Sequence, residues 1–133
     1  MASNQDKLES VIGYQFLDSG LLDRALTHRS FSALNNERLE FLGDSVLGII
    51  VSAVLYRLYT ESEEGELTRM RTQVVKKDTL AQIARRLQLG SYLKLGGSVV
   101  KGGGADIDSI LADALEALIG AVYLDAGLGQ AQI

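Results

Sequence analysis

Asn36-Glu37-Arg38-Leu39-Glu40-Phe41-Leu42-Gly43-Asp44-Ser45 places three carboxylates among leucines at the head of the chain's most apolar stretch. At about 100° of rotation per residue, a helix brings Glu37, Glu40 and Asp44 within roughly 60° of one another. Leu39, Leu42, Val46, Ile49, Ile50 and Ala53 then fall on roughly the opposite side. The spacing predicts one helix from Glu37 to about Tyr59, capped by Asn36 and buried through much of its length. Carboxylates on a buried helix each cost several kcal/mol in lost hydration unless a charge compensates them. A divalent cation compensates better than scattered lysines.

A second helix repeats the pattern. Asp108 reads as the cap of a helix over Ser109 to about Asp125, closed by Gly127. Asp113 and Glu116 are i, i+3 neighbours there, and Gly120 shares their side among Ile110, Leu111, Ala114, Leu115 and Leu118. Gly43 and Gly120 would let two helix backbones approach closely beside the acids. Two helices with two carboxylates each define an all-oxygen site, suited to Mg²⁺ or Mn²⁺.

Composition narrows the chemistry further. The 133 residues suffice for one domain and contain no cysteine, no proline and one histidine, His28. Disulfides, thiolate metal sites, cysteine nucleophiles and two-histidine zinc sites are thereby excluded, as is a di-iron bundle, which needs Glu-x-x-His twice. His28 itself reads as a helix-end hydrogen-bonding residue. The longest nearly apolar run, Val46 to Tyr56, is shorter than the roughly 20 residues of a membrane span. Met1 to Lys7 is polar and shows no signal peptide, so a cytoplasmic location away from membranes is expected.

Net charge is −4, which alone disfavours nucleic acid, but the charge is segregated. Arg69, Arg71, Lys76, Lys77, Arg85, Arg86, Lys94 and Lys101 are opposed within their stretch only by Asp78, a local charge of +7. A phosphate-facing surface beside a carboxylate-rich site is expected. Further helices are expected over Asp6–Ile12, Ser19–Thr27, Glu66–Val75 and Asp78–Leu89. Glu61–Gly65 reads as an acidic loop, and Gly96–Gly104, with five glycines, as a flexible one. Tyr56, Tyr59 and Tyr92 read as packing residues, and Leu128–Ile133 as the first turn of a further helix.

The ten residues Asn36–Ser45 resemble, without a gap, the signature of the ribonuclease III family. Thr27-His28-Arg29-Ser30 precedes them in family order. Glu64-Gly65-Glu66-Leu67-Thr68-Arg69-Met70-Arg71 and the helix from Ser109 to Ala121 follow. The resemblance spans roughly Leu8 to Ile133. It implies an all-α endonuclease domain over 1–133, a helical bundle forming a symmetric homodimer on double-stranded RNA. It implies Mg²⁺-dependent cleavage, with Mn²⁺ able to substitute, leaving 5′-phosphate, 3′-hydroxyl and short 3′ overhangs in processing of ribosomal and other structured RNA.

By motif position, Glu40, Asp44, Asp113 and Glu116 would be metal ligands, with Asp44 and Glu116 catalytic. Glu37 and Glu64 would sit at the substrate-binding rim, and Phe41 would plug into the partner subunit. A catalytically inactive RNA-binding or dimerisation module of the same fold is the alternative; such relatives lose some of the four acids, and all four are present here. One departure from the family is that Gly102-Gly103-Gly104 leads to Asp106 and Asp108 rather than to basic residues. The family's usual double-stranded-RNA-binding domain is not within these residues, and the final helix reads as cut short.

Overall fold

A computed structural model describes residues 4–127. Seven α-helices follow in order: α1 Asn4–Ile12, α2 Ser19–Ala25, α3 Glu37–Leu58, α4 Glu64–Val75, α5 Lys77–Arg86, α6 Gly97–Lys101 and α7 Asp108–Ala126. Short 3-10 turns cover Leu89–Tyr92 and Gly104–Asp106. Among the described residues the only extended pairing is a single bridge between Thr27 and Lys94. The all-α expectation holds. The expected turn at Leu128–Ile133 lies outside the described residues.

The core is built around α7. Leu111, Ala112, Ala114, Leu115, Ala117, Leu118, Ala121 and Val122 are all buried, which leaves α7 apolar on nearly every side. Helices α2, α3 and α5 pack against it. Leu22, Leu80 and Leu111 are each exposed by 2% or less, and truncating such a leucine to alanine typically costs about 2–5 kcal/mol. The alanines of α7 and its one glycine, Gly120, let its neighbours come close, and α3 comes closest. A Cβ on Gly43 would overlap the backbone carbonyl of Glu116, and one on Gly120 would meet the carbonyl of Leu39 and the amide of Gly43. The close approach expected at these two glycines is present.

α3 departs from the expected burial. Leu39, Gly43, Val46, Ile50, Val51 and Leu55 face inward, but Ile49 is 58% exposed; Phe41, expected to face a partner, is 68% exposed. Tyr56 and Tyr59, expected to pack, are exposed as well; Tyr92 does pack against the core. The reason is geometric: α7 covers one side of α3 and α4 lies along another, and α4 itself contributes no buried residue. At 22 residues α3 is long and apolar enough to cross a bilayer by length and composition. Its packing on α7 and the acids at its head make it a core helix instead.

Several boundaries shift for local reasons. Asn36 stands before α3 but does not cap it. Its side-chain Nδ2 donates to the Ala25 carbonyl at 3.2 Å, while Asn35 Oδ1 accepts the Glu37 backbone amide at 3.0 Å. Asp108 is the first residue of α7 rather than its cap, because Arg85 claims its carboxylate. α2 ends at Ala25, where the chain leaves the helix to pair with Lys94. α4 begins at Glu64, inside the expected acidic loop, and Glu64 and Glu66 suit the positive end of its dipole. α5 ends at Arg86, since Gln88 adopts a left-handed conformation with φ of 55°. Gly127, with φ of 94°, closes α7 as expected.

The glycine-rich segment is folded. It forms α6 and the Gly104–Asp106 turn, and two of its glycines serve contact rather than freedom. A Cβ on Gly104 would overlap the Val99 side chain, and one on Gly96 the Ser30 carbonyl.

Candidate metal centre

Gly43 and Gly120 bring the acid-bearing parts of α3 and α7 together. Carboxylate oxygens of Glu40, Asp113 and Glu116 all lie within 4.8 Å of one another. Asp44, one turn beyond Glu40 on α3, reaches across to hydrogen-bond with Glu116 on α7. The four acids singled out in the sequence thus meet as three mutually close carboxylates, with Asp44 beside Glu116.

The electrostatics follow from crowding and burial. Glu116 is only 7% exposed. Its carboxyl is pushed up to about 8, first by loss of hydration, then by the hydrogen bond and charge of Asp44 and the charges of Glu40 and Asp113. Glu40 is raised for the same reasons: burial first, then the charge and hydrogen bond of Asp113. Opposing them is Lys77, whose Nζ lies 3.3 Å from Asp113 Oδ1. Lys77 is well exposed, and one ammonium does not balance four carboxylates. A set of hard oxygen donors that must hold a proton at neutral pH fits a divalent cation such as Mg²⁺ or Mn²⁺.

Glu37 lies beside the cluster. With Glu40 and Asp113 it lines a cavity of about 460 Å³ that also takes in His28, Arg29 and Ser109. Glu64 does not share that cavity within one chain. It lines a separate cleft of about 250 Å³ between α3 and α4, with Ser52, Tyr56, Thr68 and Arg71. Phe41 stands at an apolar hollow of about 710 Å³ with Arg24, Leu39, Leu42, Ser45 and Leu124.

Two participants were not legible as such in the sequence. Lys77 reads as one of eight basic residues, and nothing local points it at Asp113, 36 positions away. His28, expected to bond at a helix end, instead bonds through its ring to Ser30 in the turn beyond α2, and it borders the cavity. The basic stretch is partly committed within the chain: Arg71 to Ser52, Lys77 to Asp113, Arg85 to Asp106 and Asp108, and Lys94 to Asp23. Asp106 and Asp108, the departure after the glycines, are thus the anchors of Arg85.

A wholly helical domain whose two closest helices join to offer a carboxylate cluster is the class that fold and site define. The Ribonuclease-III-like family model matches residues 18–133, and the chain belongs to that family. It is 56% identical over 128 residues to Ribonuclease 3 of Marinomonas sp., a match covering 96% of this chain and 56% of that protein. It is 54% identical over 127 residues to Ribonuclease 3 of Hahella chejuensis, covering 96% and 56% respectively. The chain therefore spans little more than half the length of these relatives.

Among solved structures, the nuclease domain of ribonuclease III from Campylobacter jejuni superposes with a TM-score of 0.95 at 44% identity, covering 97% of this chain and 91% of that one. That structure was described for flexibility in a region involved in dimer formation. Dicer from Pichia stipitis is more distant, with a TM-score of 0.65 at 35% identity over 84% of this chain and 48% of the other.

Proposed function

We propose that residues 1–133 form the endonuclease domain of a cytoplasmic ribonuclease III. It would cut double-stranded RNA with Mg²⁺, leaving 5′-phosphate and 3′-hydroxyl ends and short 3′ overhangs, in the processing of ribosomal and other structured RNA. The observation carrying this reading is the convergence of Glu40, Asp113 and Glu116, with Asp44 hydrogen-bonded to Glu116.

Those four residues would hold the cation. When bound, Mg²⁺ supplies neutralisation of the scissile phosphate, acidified water and stabilisation of the leaving 3′-oxygen. The chain's own part is to keep the donors in place. Gly43 and Gly120 set the helix spacing that keeps Asp44 beside Glu116. Glu116 must give up its proton to act as a ligand, so ligand binding and proton release are linked. Arg and Lys side chains of the 69–101 stretch would meet backbone phosphates, making binding weaken steeply with salt.

A homodimer accounts for the outward side of α3. Phe41 sits exposed beside an apolar hollow, and an aromatic ring seated in a partner is a typical interface anchor. Two copies would then present two centres, one for each strand.

The test is incubation of long duplex RNA with Mg²⁺, reading product ends and lengths, for the chain and for Glu116→Gln. The parental chain is expected to yield 5′-phosphate products, and the variant to bind duplex RNA while cleaving on the order of a thousandfold more slowly, in line with the charge stabilisation a metal supplies. Near-parental cleavage by the variant would remove Glu116 from the metal site.

A further inference from the structure

The turn Thr27-His28-Arg29-Ser30 has no part in the carboxylate cluster, yet it is held from several directions. The His28 amide donates to the Lys94 carbonyl at 3.0 Å, and the Lys94 amide donates to the Leu26 carbonyl at 2.8 Å. The Phe31 amide closes the turn on the His28 carbonyl at 2.9 Å. Gly96 presses on Ser30 closely enough that a Cβ would overlap the Ser30 carbonyl.

These contacts fix the imidazole. The Ser30 amide donates to His28 Nδ1 at 3.1 Å, and an amide nitrogen can only donate, so Nδ1 is an acceptor. Ser30 Oγ accepts the Gly96 amide at 2.8 Å and lies 2.7 Å from Nδ1, to which it gives its own proton. With Nδ1 accepting, these contacts assign the neutral ring the tautomer that carries its proton on Nε2.

His28 lines the same cavity as Glu37 and Glu40. A donor N–H beside acceptor-only carboxylates suits a group that both accepts and donates. A phosphate oxygen only accepts, so it would take the N–H but offer nothing to Glu37. A ribose 2′-hydroxyl does both, and DNA lacks it.

We propose that His28 determines specificity for RNA: its Nε2–H donates to the 2′-hydroxyl oxygen of a nucleotide next to the scissile phosphate, and that hydroxyl donates in turn to Glu37. This rests on the endonuclease reading above. Ser30 acts as a positioning residue by holding the tautomer.

The experiment measures cleavage of duplexes carrying a single 2′-deoxy substitution at successive positions around the cut, with Mg²⁺, by the chain, by His28→Phe and by Ser30→Ala. At one position the parental chain should lose about tenfold in rate or more, as expected when the hydrogen bonds to His28 and Glu37 are both left unmade. His28→Phe should lose a smaller factor on all-ribose duplex, and at that position the two losses should combine to less than their product, because the deoxy change removes the His28 bond together with the Glu37 one. Ser30→Ala should show a smaller loss with the same coupling. Thermal melting establishes that the variants are folded, and Ser30→Ala carries the test if His28→Phe is not. Losses that multiply at every position, or parental rates from both variants, overturn the assignment of His28 alone. A parental chain that leaves all-ribose duplex intact with Mg²⁺ overturns the endonuclease reading and the inference with it.

Discussion

On the side of α3 that meets α7, Gly43 lies between Leu39 and Val46, and the neighbouring backbone is so near that no side chain fits. On the side that turns away, Phe41, Ile49 and Tyr56 are exposed, and the adjacent helix α4 buries nothing. One helix thus carries a sealed seam and an open face. The seam is where the acids gather, since only a fixed backbone separation holds Glu40, Asp113 and Glu116 within 4.8 Å of one another. The open face has apolar surface and no such constraint, which suits a partner that joins after folding.

The sharpest way to break the contrast is Gly43→Ala. The added methyl meets the Glu116 carbonyl, so α3 and α7 must part. A loss of at least about 3 kcal/mol, at the upper end for overpacking, is expected in urea unfolding, with weaker Mn²⁺ binding. Retention of parental stability would mean the seam is looser than described.

Acidity tests the seam without mutation. Glu116 rises from its ordinary 4.5 to about 8 in the fold, so the folded state holds a proton that the unfolded state releases between those values. In chelator, Glu116 makes no stability cost below about pH 4.5, and stability falls as pH climbs to about 8 and then levels. The expected fall is a few kcal/mol, read as a declining Tm in a pH series. Divalent cation should raise Tm more at pH 8 than at pH 5.5, because the ligands must be deprotonated. A Tm that rises over this range in chelator would contradict the buried acid.

On the open face, effects should move from folding to association. Phe41 is 68% exposed, so Phe41→Ala should change protomer stability by no more than about 0.5 kcal/mol. Self-association should weaken by about tenfold or more, seen in sedimentation at low micromolar concentration. An unchanged dimer would put the interface elsewhere. The smallest effect is expected at Val74 on α4, 40% exposed, where alanine should cost within about 0.5 kcal/mol.

What the sequence reveals follows the same division. The two acid helices, their glycines and the four converging carboxylates are legible because each signal is local: i, i+3 and i, i+4 spacing, an apolar flank, a small residue. The open face is not, because Ile49 and Tyr56 look as apolar in a string as Ile50 and Leu55. Nothing within α3 states how much of its circumference has neighbours. The glycine segment misleads for a related reason. Glycine reads as freedom, but Gly96 and Gly104 are there to let other groups in. Lys77 and Arg85 likewise read as solvent-facing cations, and their partners Asp113 and Asp106 become visible only when α5 is laid beside α7.

Asp125, near the end of α7, accepts the Tyr14 hydroxyl and the amides of Leu17 and Asp18, at 2.8 and 3.0 Å for the amides. The Tyr14 hydroxyl is pushed up to about 12, by burial first and by Asp125 next, so it keeps its proton for this bond. The contact joins residues 111 positions apart. On a ribosome, which adds residues one at a time, Tyr14 emerges long before its acceptor exists. The helix that forms the centre of the core is also the last of those described to be made. Helices α1 to α5 therefore wait in the open, with their apolar sides uncovered, until α7 leaves the exit tunnel. Folding during synthesis is postponed to that moment, and the carboxylate centre comes into being in the same step as the core.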